Sequence, residues 1–195
     1  MNYAIILLMK KKSLKIYFNA PITLSFCGIC LIALLLSMLT NGDSTYLIFS
    51  TYRSSLLDPL TYIRLIGHVF GHASWSHLTS NLLYILLLGP MLEEKYHDRL
   101  IIVIVVTALV TGIMHSIIDP GSILLGASGI VFAFILMASV TGRSDGIPIT
   151  LILVAVLWLG NELLVDMNTV DTISHITHII GGISGAALGM FFKNN

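Results

Sequence analysis

Ser128 and His178 are the two residues of this chain whose types and surroundings best suit acyl-transfer chemistry. Each lies in a glycine-rich stretch inside an apolar run, Gly126-Ala127-Ser128-Gly129 and His178-Ile179-Ile180-Gly181-Gly182-Ile183-Ser184-Gly185. A serine hydroxyl is a weak nucleophile until a base takes its proton, and a neutral imidazole within about 3 Å is such a base. Taken singly, each residue has a plainer explanation. A Ser in an apolar helix bonds back to its own backbone, a His links helices, and an Asn such as Asn81 is packing glue. The chemistry therefore depends on the elements that would bring these groups together.

Composition defines those elements. The chain has 195 residues, of which 56% are hydrophobic and 10% charged, with a mean hydropathy of +0.93. Soluble domains carry about 25% charged residues. Apolar runs of roughly 17–25 residues predict an all-α, polytopic membrane protein whose partner is the lipid bilayer. The runs lack the polar–apolar alternation of a β-barrel. The net charge is zero, and apart from Lys10, Lys11, Lys12 and Lys15 there is no basic cluster, so no nucleic-acid partner is expected. Cys27 and Cys30 form a C-x-x-C inside an apolar run and read as small packing residues. Residues 4–9 are apolar, but the lysines follow them and no small-residue cleavage site comes next, so 1–20 reads as a cytoplasmic or interfacial tail.

A single membrane domain over 1–195 is expected, with six spans near 22–40, 77–94, 100–118, 123–141, 147–165 and 174–192. The positive-inside rule puts Lys10, Lys11, Lys12, Lys15, Lys95, Arg99, Arg143 and Lys193 in the cytoplasm against Arg53 and Arg64 outside, so both termini are inside. The long outer loop, 41–76, carries Tyr46, Tyr52, Tyr62 and Trp75. Within it Leu56, Leu57, Leu60, Ile63 and Ile66 recur at helical spacing around the start signal Asp58-Pro59. That pattern predicts a short amphipathic helix lying in the outer leaflet.

On this topology His68, His72, His77, Asn81, Ser128 and His178 collect on one side of the membrane. Polar groups at membrane depth are costly unless paired or lining a wet cavity, so their gathering points to a shared site. His178, Gly181 or Gly182, Gly185 and Gly189 share one face of the last span, and Gly126, Gly129 and Ala133 give the fourth span a small face as well. Two such faces let helix backbones approach closely enough for a short serine to reach an imidazole.

These motifs resemble the rhomboid family of intramembrane serine proteases. Gly126-Ala127-Ser128-Gly129 is similar to its G-x-S-G nucleophile motif, and His178-x-x-Gly181-x-x-x-Gly185 to its H-x-x-G-x-x-x-G motif. His68-x-x-x-His72-x-x-x-x-His77-x-x-x-Asn81 resembles its His and Asn pattern, Arg64 its first-loop Arg, and Gly89 with Glu93 its G-x-x-x-E. The resemblance runs from the outer loop to the C-terminus. It departs at Ile63, where a Trp often precedes the loop Arg, and at Phe132, where some members have a Tyr beside the His; either ring could stack on the imidazole.

The resemblance implies a Ser128–His178 dyad that attacks a peptide carbonyl, with the Ser128 N–H, Asn81 and His77 stabilising the oxyanion. Asp166 and Asp171 read as capping or solvated residues rather than a third member, and His175 has no assigned role. His72 and His77, with Ser74, Ser76 and Thr79, would line a water-supplying cavity. The expected substrates are transmembrane helices that partly unwind, in a bacterial-type inner membrane with the site open outward. Neither a cofactor nor a metal is expected, and the oligomeric state is left open. Two other readings remain: an inactive relative that binds transmembrane helices without cutting them, and a metal transporter using His68, His72 and His77, with His175 and His178 as a second cluster.

Overall fold

Every regular element among the described residues is helical. The computed structural model describes residues 17–141, 149–154, 156–157 and 172–193, with 172–175 and 193 as backbone. The helices are α1 (Pro21–Leu39), α2 (Asp43–Leu47), α3 (Pro59–Gly67), α4 (Trp75–Tyr96), α5 (Arg99–Ile118), α6 (Ser128–Ser139) and α7 (Thr172–Lys193). Residues 149–154 and 156–157 are also helical. Of these helices, α1 and α5 are each long and apolar enough to cross a membrane. The tail lysines up to Lys15, together with Arg143, Asp166 and Asp171, lie outside the described residues.

Local chemistry explains where the helices begin. Ser74 caps α4 by accepting from His77 N at 3.1 Å. Asp58 caps α3 by accepting from Leu60 N at 3.0 Å, with Pro59 in the first helical position, where its missing N–H costs nothing. At α1 no neighbouring side chain makes a capping bond. Its exposed N–H groups go instead to the Glu93 carboxylate at the far end of α4, which accepts from Ile22 N (2.8 Å), Thr23 N (2.9 Å) and Thr23 Oγ1 (2.7 Å). A carboxylate at a helix N-terminus satisfies orphan donors and complements the helix dipole. Gly89 makes room for this cap, since a β-carbon there would stand 2.7 Å from Thr23 Oγ1.

At the centre is α6, where Gly129, Ile130, Val131, Ala133, Phe134, Leu136 and Met137 are all buried. A helix that is apolar on every side belongs in the interior. It also differs from its expected span of 123–141. Regular helix begins only at Ser128, because residues 119–127 form a turning loop in which Gly126 has φ +125°. Hydropathy runs straight through Ile123-Leu124-Leu125, but helical hydrogen bonding does not.

The segment between α1 and α4 is held by polar bonds. Arg64, 4% exposed, donates to Asp58 Oδ2 from both Nη atoms (3.1 and 3.0 Å), to Leu47 O from Nε (3.2 Å) and to Ser54 Oγ (3.3 Å). Its guanidinium lies 4.7 Å from the Tyr52 ring centroid, and Tyr52 stacks on Tyr46 at 4.8 Å. Leu56, Leu57, Tyr62 and Ile63 point outward and are exposed.

Candidate active site

The residue ahead of α6, Ala127, ends the loop, and Ser128 opens the helix. Gly126, just before them, holds a backbone conformation that favours glycine, and it also has no room for a side chain. A β-carbon there would stand 2.8 Å from His77 Nε2 and 3.9 Å from Asn81 Nδ2. The first turns of α4 therefore press directly on the stretch that carries the serine. Asn81 is buried and donates from Nδ2 to His77 O at 3.2 Å, which fixes the amide on the same face as the His77 ring.

His178 approaches from α7. Its Nε2 lies 2.9 Å from Ser128 Oγ, a hydrogen-bonding distance between residues fifty positions apart. With the hydroxyl donating, Nε2 is the accepting nitrogen, the protonation a general base requires. The Phe132 ring, one turn after Ser128, sits 4.7 Å from the imidazole centroid at an interplanar angle of 41°. The close approach depends on residues with no side chain to spare. A β-carbon at Gly181 would lie 2.5 Å from Gly129 O, and one at Gly185 would run into the backbone of Ala133. Gly129 in turn would bring a β-carbon within 3.3 Å of Thr111 Cγ2 on α5.

Backbone bonds tie the serine loop to the segment before α4. Thr51 and Leu124 exchange both N–H···O bonds (2.8 and 2.9 Å), and Gly126 N donates to His68 O at 2.9 Å. His68 Nε2 donates to Ala108 O and His72 Nδ1 to Phe70 O, each at 3.1 Å. His115 Nε2 reaches Ser122 O at 3.4 Å, and Ser122 also bonds Asp119. Burial holds His68 and His72, both outside the spanning helices, at a pKa of about 4, well below the usual imidazole value.

The Rhomboid domain family model matches residues 59–195, which is most of the chain. The chain belongs to the rhomboid family. Among similar curated proteins, Rhomboid protease GlpG of Serratia proteamaculans (strain 568) is 27% identical over 179 residues, 88% of this chain and 62% of that protein. Rhomboid protease GlpG of Yersinia pestis (strain Pestoides F) is 27% identical over 183 residues, 90% of this chain and 64% of that protein. Rhomboid-related protein 1 of Caenorhabditis elegans is 32% identical over 139 residues, 65% of this chain and 38% of that protein. The chain thus spans just under two thirds of the length of the GlpG proteins it matches.

In this rhomboid chain, the residues singled out from sequence fall into two groups. Ser128, His178, His77, Asn81 and Phe132 converge, with Gly126, Gly129, Gly181 and Gly185 packed around them. His72 adjoins that group through His77, their ring centroids 5.0 Å apart at 67°. Arg64 lies apart, inside the loop, with its donors committed to Asp58, Ser54 and Leu47. Sequence reasoning gave no role to Thr51, Leu124 or His115. The Thr51–Leu124 tie is made entirely by backbone atoms and leaves no signature in residue type.

Proposed function

We propose that this rhomboid family member is an intramembrane serine endopeptidase that cuts peptide bonds in or near transmembrane segments of membrane-protein substrates. The observation that carries the reading is the 2.9 Å contact between Ser128 Oγ and His178 Nε2. As Ser128 attacks the peptide carbonyl, His178 takes its proton, and then gives that proton to the leaving amine as the acyl-enzyme forms. Water, deprotonated by the same imidazole, attacks the ester, and the proton returns to Ser128. The oxyanion would be held by the Ser128 N–H, the Asn81 amide and His77. Ser128 at the first position of α6 adds the positive end of the helix dipole.

The proposed topology has six spans, both termini in the cytoplasm and the site open to the outer side. Glu93 at the end of α4 binds the start of α1, and Arg99 at the start of α5 donates to Phe192 O near the end of α7, so these helix ends lie together on one side. Lys95 and Arg99 mark that side as cytoplasmic. Ser128 and His178, near the starts of α6 and α7, lie on the other. Between the end of α6 and the start of α7 the chain has to cross once more, and the helical residues 149–154 and 156–157 fall in that interval. At 1.5 Å per residue the 12-residue α6 covers about 18 Å of a roughly 30 Å hydrocarbon core, which leaves the serine beneath the outer surface. The whole chain 1–195 would be a single such domain in a bacterial-type inner membrane. In this reading His68 and His72 serve as loop anchors, each with a ring nitrogen given to a backbone carbonyl.

The test is cleavage of a transmembrane substrate with helix-breaking Gly or Pro near its outer end, by purified protein in detergent. Ser128→Ala and His178→Ala should each lower the rate by about 10⁴-fold or more. Asn81→Ala should cost about 2.7–4 kcal/mol of transition-state stabilisation and leave measurable activity. Full cleavage by either dyad variant overturns the assignment. Substrate that the wild type binds and leaves intact would mark a helix-binding relative instead.

A further inference from the structure

Away from the dyad, an open cavity of about 440 Å³ lies between the first loop and the end of α5. One wall is apolar, formed by Leu65 of α3 with Ile113 and Ile117 of α5. These two isoleucines are exposed on a helix apolar enough to cross a membrane, so the cavity opens toward lipid. Its lining also includes Arg53, Ser54 and Thr61. The hydroxyls are already engaged, since Ser54 and Thr61 bond one another at 2.8 Å and Thr61 donates to Ser55 O at 2.7 Å. Arg53 differs: it is exposed and makes no hydrogen bond or ion pair with any described residue. The carboxylate of Asp58 is taken by Arg64 and the α3 cap, so it does not neutralise the Arg53 guanidinium.

We propose that this cavity binds a phospholipid of the outer leaflet, with the phosphate on Arg53 and the upper acyl chain against Leu65, Ile113 and Ile117. The proposal rests on the six-span orientation above, which puts the loop 41–76 on the outer side with its short helix in that leaflet. A free anion would have no use for the apolar wall, and an uncharged acyl chain would have no use for the guanidinium; a phospholipid matches both. A guanidinium fork suits phosphate oxygens, and the volume is within the range of small-molecule sites. The site also adjoins the catalytic machinery. Arg53 is two residues beyond Thr51, whose backbone pairs with Leu124 just before Gly126, so a bound lipid would brace the backbone segment on which the serine loop rests.

The test uses the full chain, delipidated in detergent and titrated with dioleoyl phosphatidylglycerol, with retained lipid counted by native mass spectrometry. Saturable binding is expected. Arg53→Gln should weaken it roughly tenfold, the loss of one charge-assisted phosphate contact, and Arg53→Lys should restore part of it. Ile113→Trp should block the acyl channel with Arg53 intact, and a thermal melt of each variant establishes that it is folded. Inorganic phosphate at millimolar concentration should not displace the lipid, and dioleoylglycerol should bind far more weakly. Equal phosphatidylglycerol affinity in wild type, Arg53→Gln and Ile113→Trp overturns the proposal, as does displacement by phosphate, which would mark a free-anion site. Arg53→Gln should still cleave the transmembrane substrate in detergent, so failure of the lipid site and failure of the protease reading give different results.

Discussion

The seam between α6 and α7 and the loop between α1 and α4 flank the same serine but are built by opposite means. The seam is made by removing side chains: Gly181 lies against Gly129 and Gly185 against Ala133 until backbones touch, and a side-chain hydrogen bond joins Ser128 to His178 across it. The loop is made by adding polar bonds, with Arg64 joining Asp58, Ser54 and Leu47 while Leu56 and Leu57 stay exposed. In lipid there is little hydrophobic force between helices, so van der Waals contact between small residues sets the seam's precision. In the loop, hydrogen bonds order a chain that buries little. Nucleophile and base therefore sit on the part least able to tolerate added atoms, and the loop on the part least able to tolerate lost ones.

The sharpest way to break this contrast is to add atoms to the seam. In Gly185→Val the new side chain has only Ala133 backbone to meet, so α7 has to move outward and carry His178 with it. A 1 Å misplacement of a reacting group costs about a hundredfold in rate, and overpacking costs about 1–3 kcal/mol in stability. The expected outcome is a loss of cleavage of at least about 10²-fold with a lowered melting temperature. Gly189→Ala, one turn further from the dyad and meeting first the Val140 and Met137 side chains where Gly185 meets only backbone, should cost much less. Equal losses for the two would show that the seam does not position the base.

The same contrast governs what the sequence could reveal. Helical spacing is local, so Gly181, Gly185 and Gly189 announce a flat face within nine residues, and Ser128 and His178 stand out because reactive side chains are rare in apolar runs. The start of α6 was not legible, because hydropathy sees Ile123-Leu124-Leu125 as continuous with the helix and cannot register that Gly126 turns at φ +125°. Nor were the ties between Thr51 and Leu124 or between Gly126 and His68, which join distant backbone atoms through groups that every residue possesses. The capping of α1 by Glu93 was half visible: the charge near the end of an apolar helix is conspicuous in sequence, but its partners are backbone N–H groups seventy positions away.

Removing atoms from the loop is the complementary perturbation. Arg64→Ala deletes the donors that bind Asp58, Ser54 and Leu47, leaving those acceptors to water or to nothing. Because Asp58 is partly exposed, the pair is worth less than a fully buried one. The expected cost is about 1–3 kcal/mol in stability, read as a lower melting temperature in detergent. Arg64→Lys should recover little of it, because an ammonium cannot spread its donors in a plane. Cleavage should fall less than in Gly185→Val. A larger loss of activity in Arg64→Ala, at unchanged stability, would move the loop from support into the chemistry.

The smallest effect separates the two regions by pH. His68 and His72 belong to the loop side, and burial holds each at a pKa of about 4, with the His115 ring near the first and the His77 ring near the second adding to the shift. In the unfolded chain both titrate near 6.5. Between about pH 6.5 and 4 the unfolded state therefore binds more protons than the folded one. Their contribution to stability is fully present above 6.5 and drains away as the pH falls through that window, with a limiting slope of about 1.4 kcal/mol per pH unit for each histidine. Melting temperatures measured from pH 7.5 to 4.5 should fall toward acid, and His72→Gln should flatten that fall by roughly half of the histidine-dependent part while lowering stability at neutral pH. An unchanged acid slope in His72→Gln would show that its ring is already solvated in the folded protein, and that the loop is looser around His77 than the 5.0 Å ring contact implies.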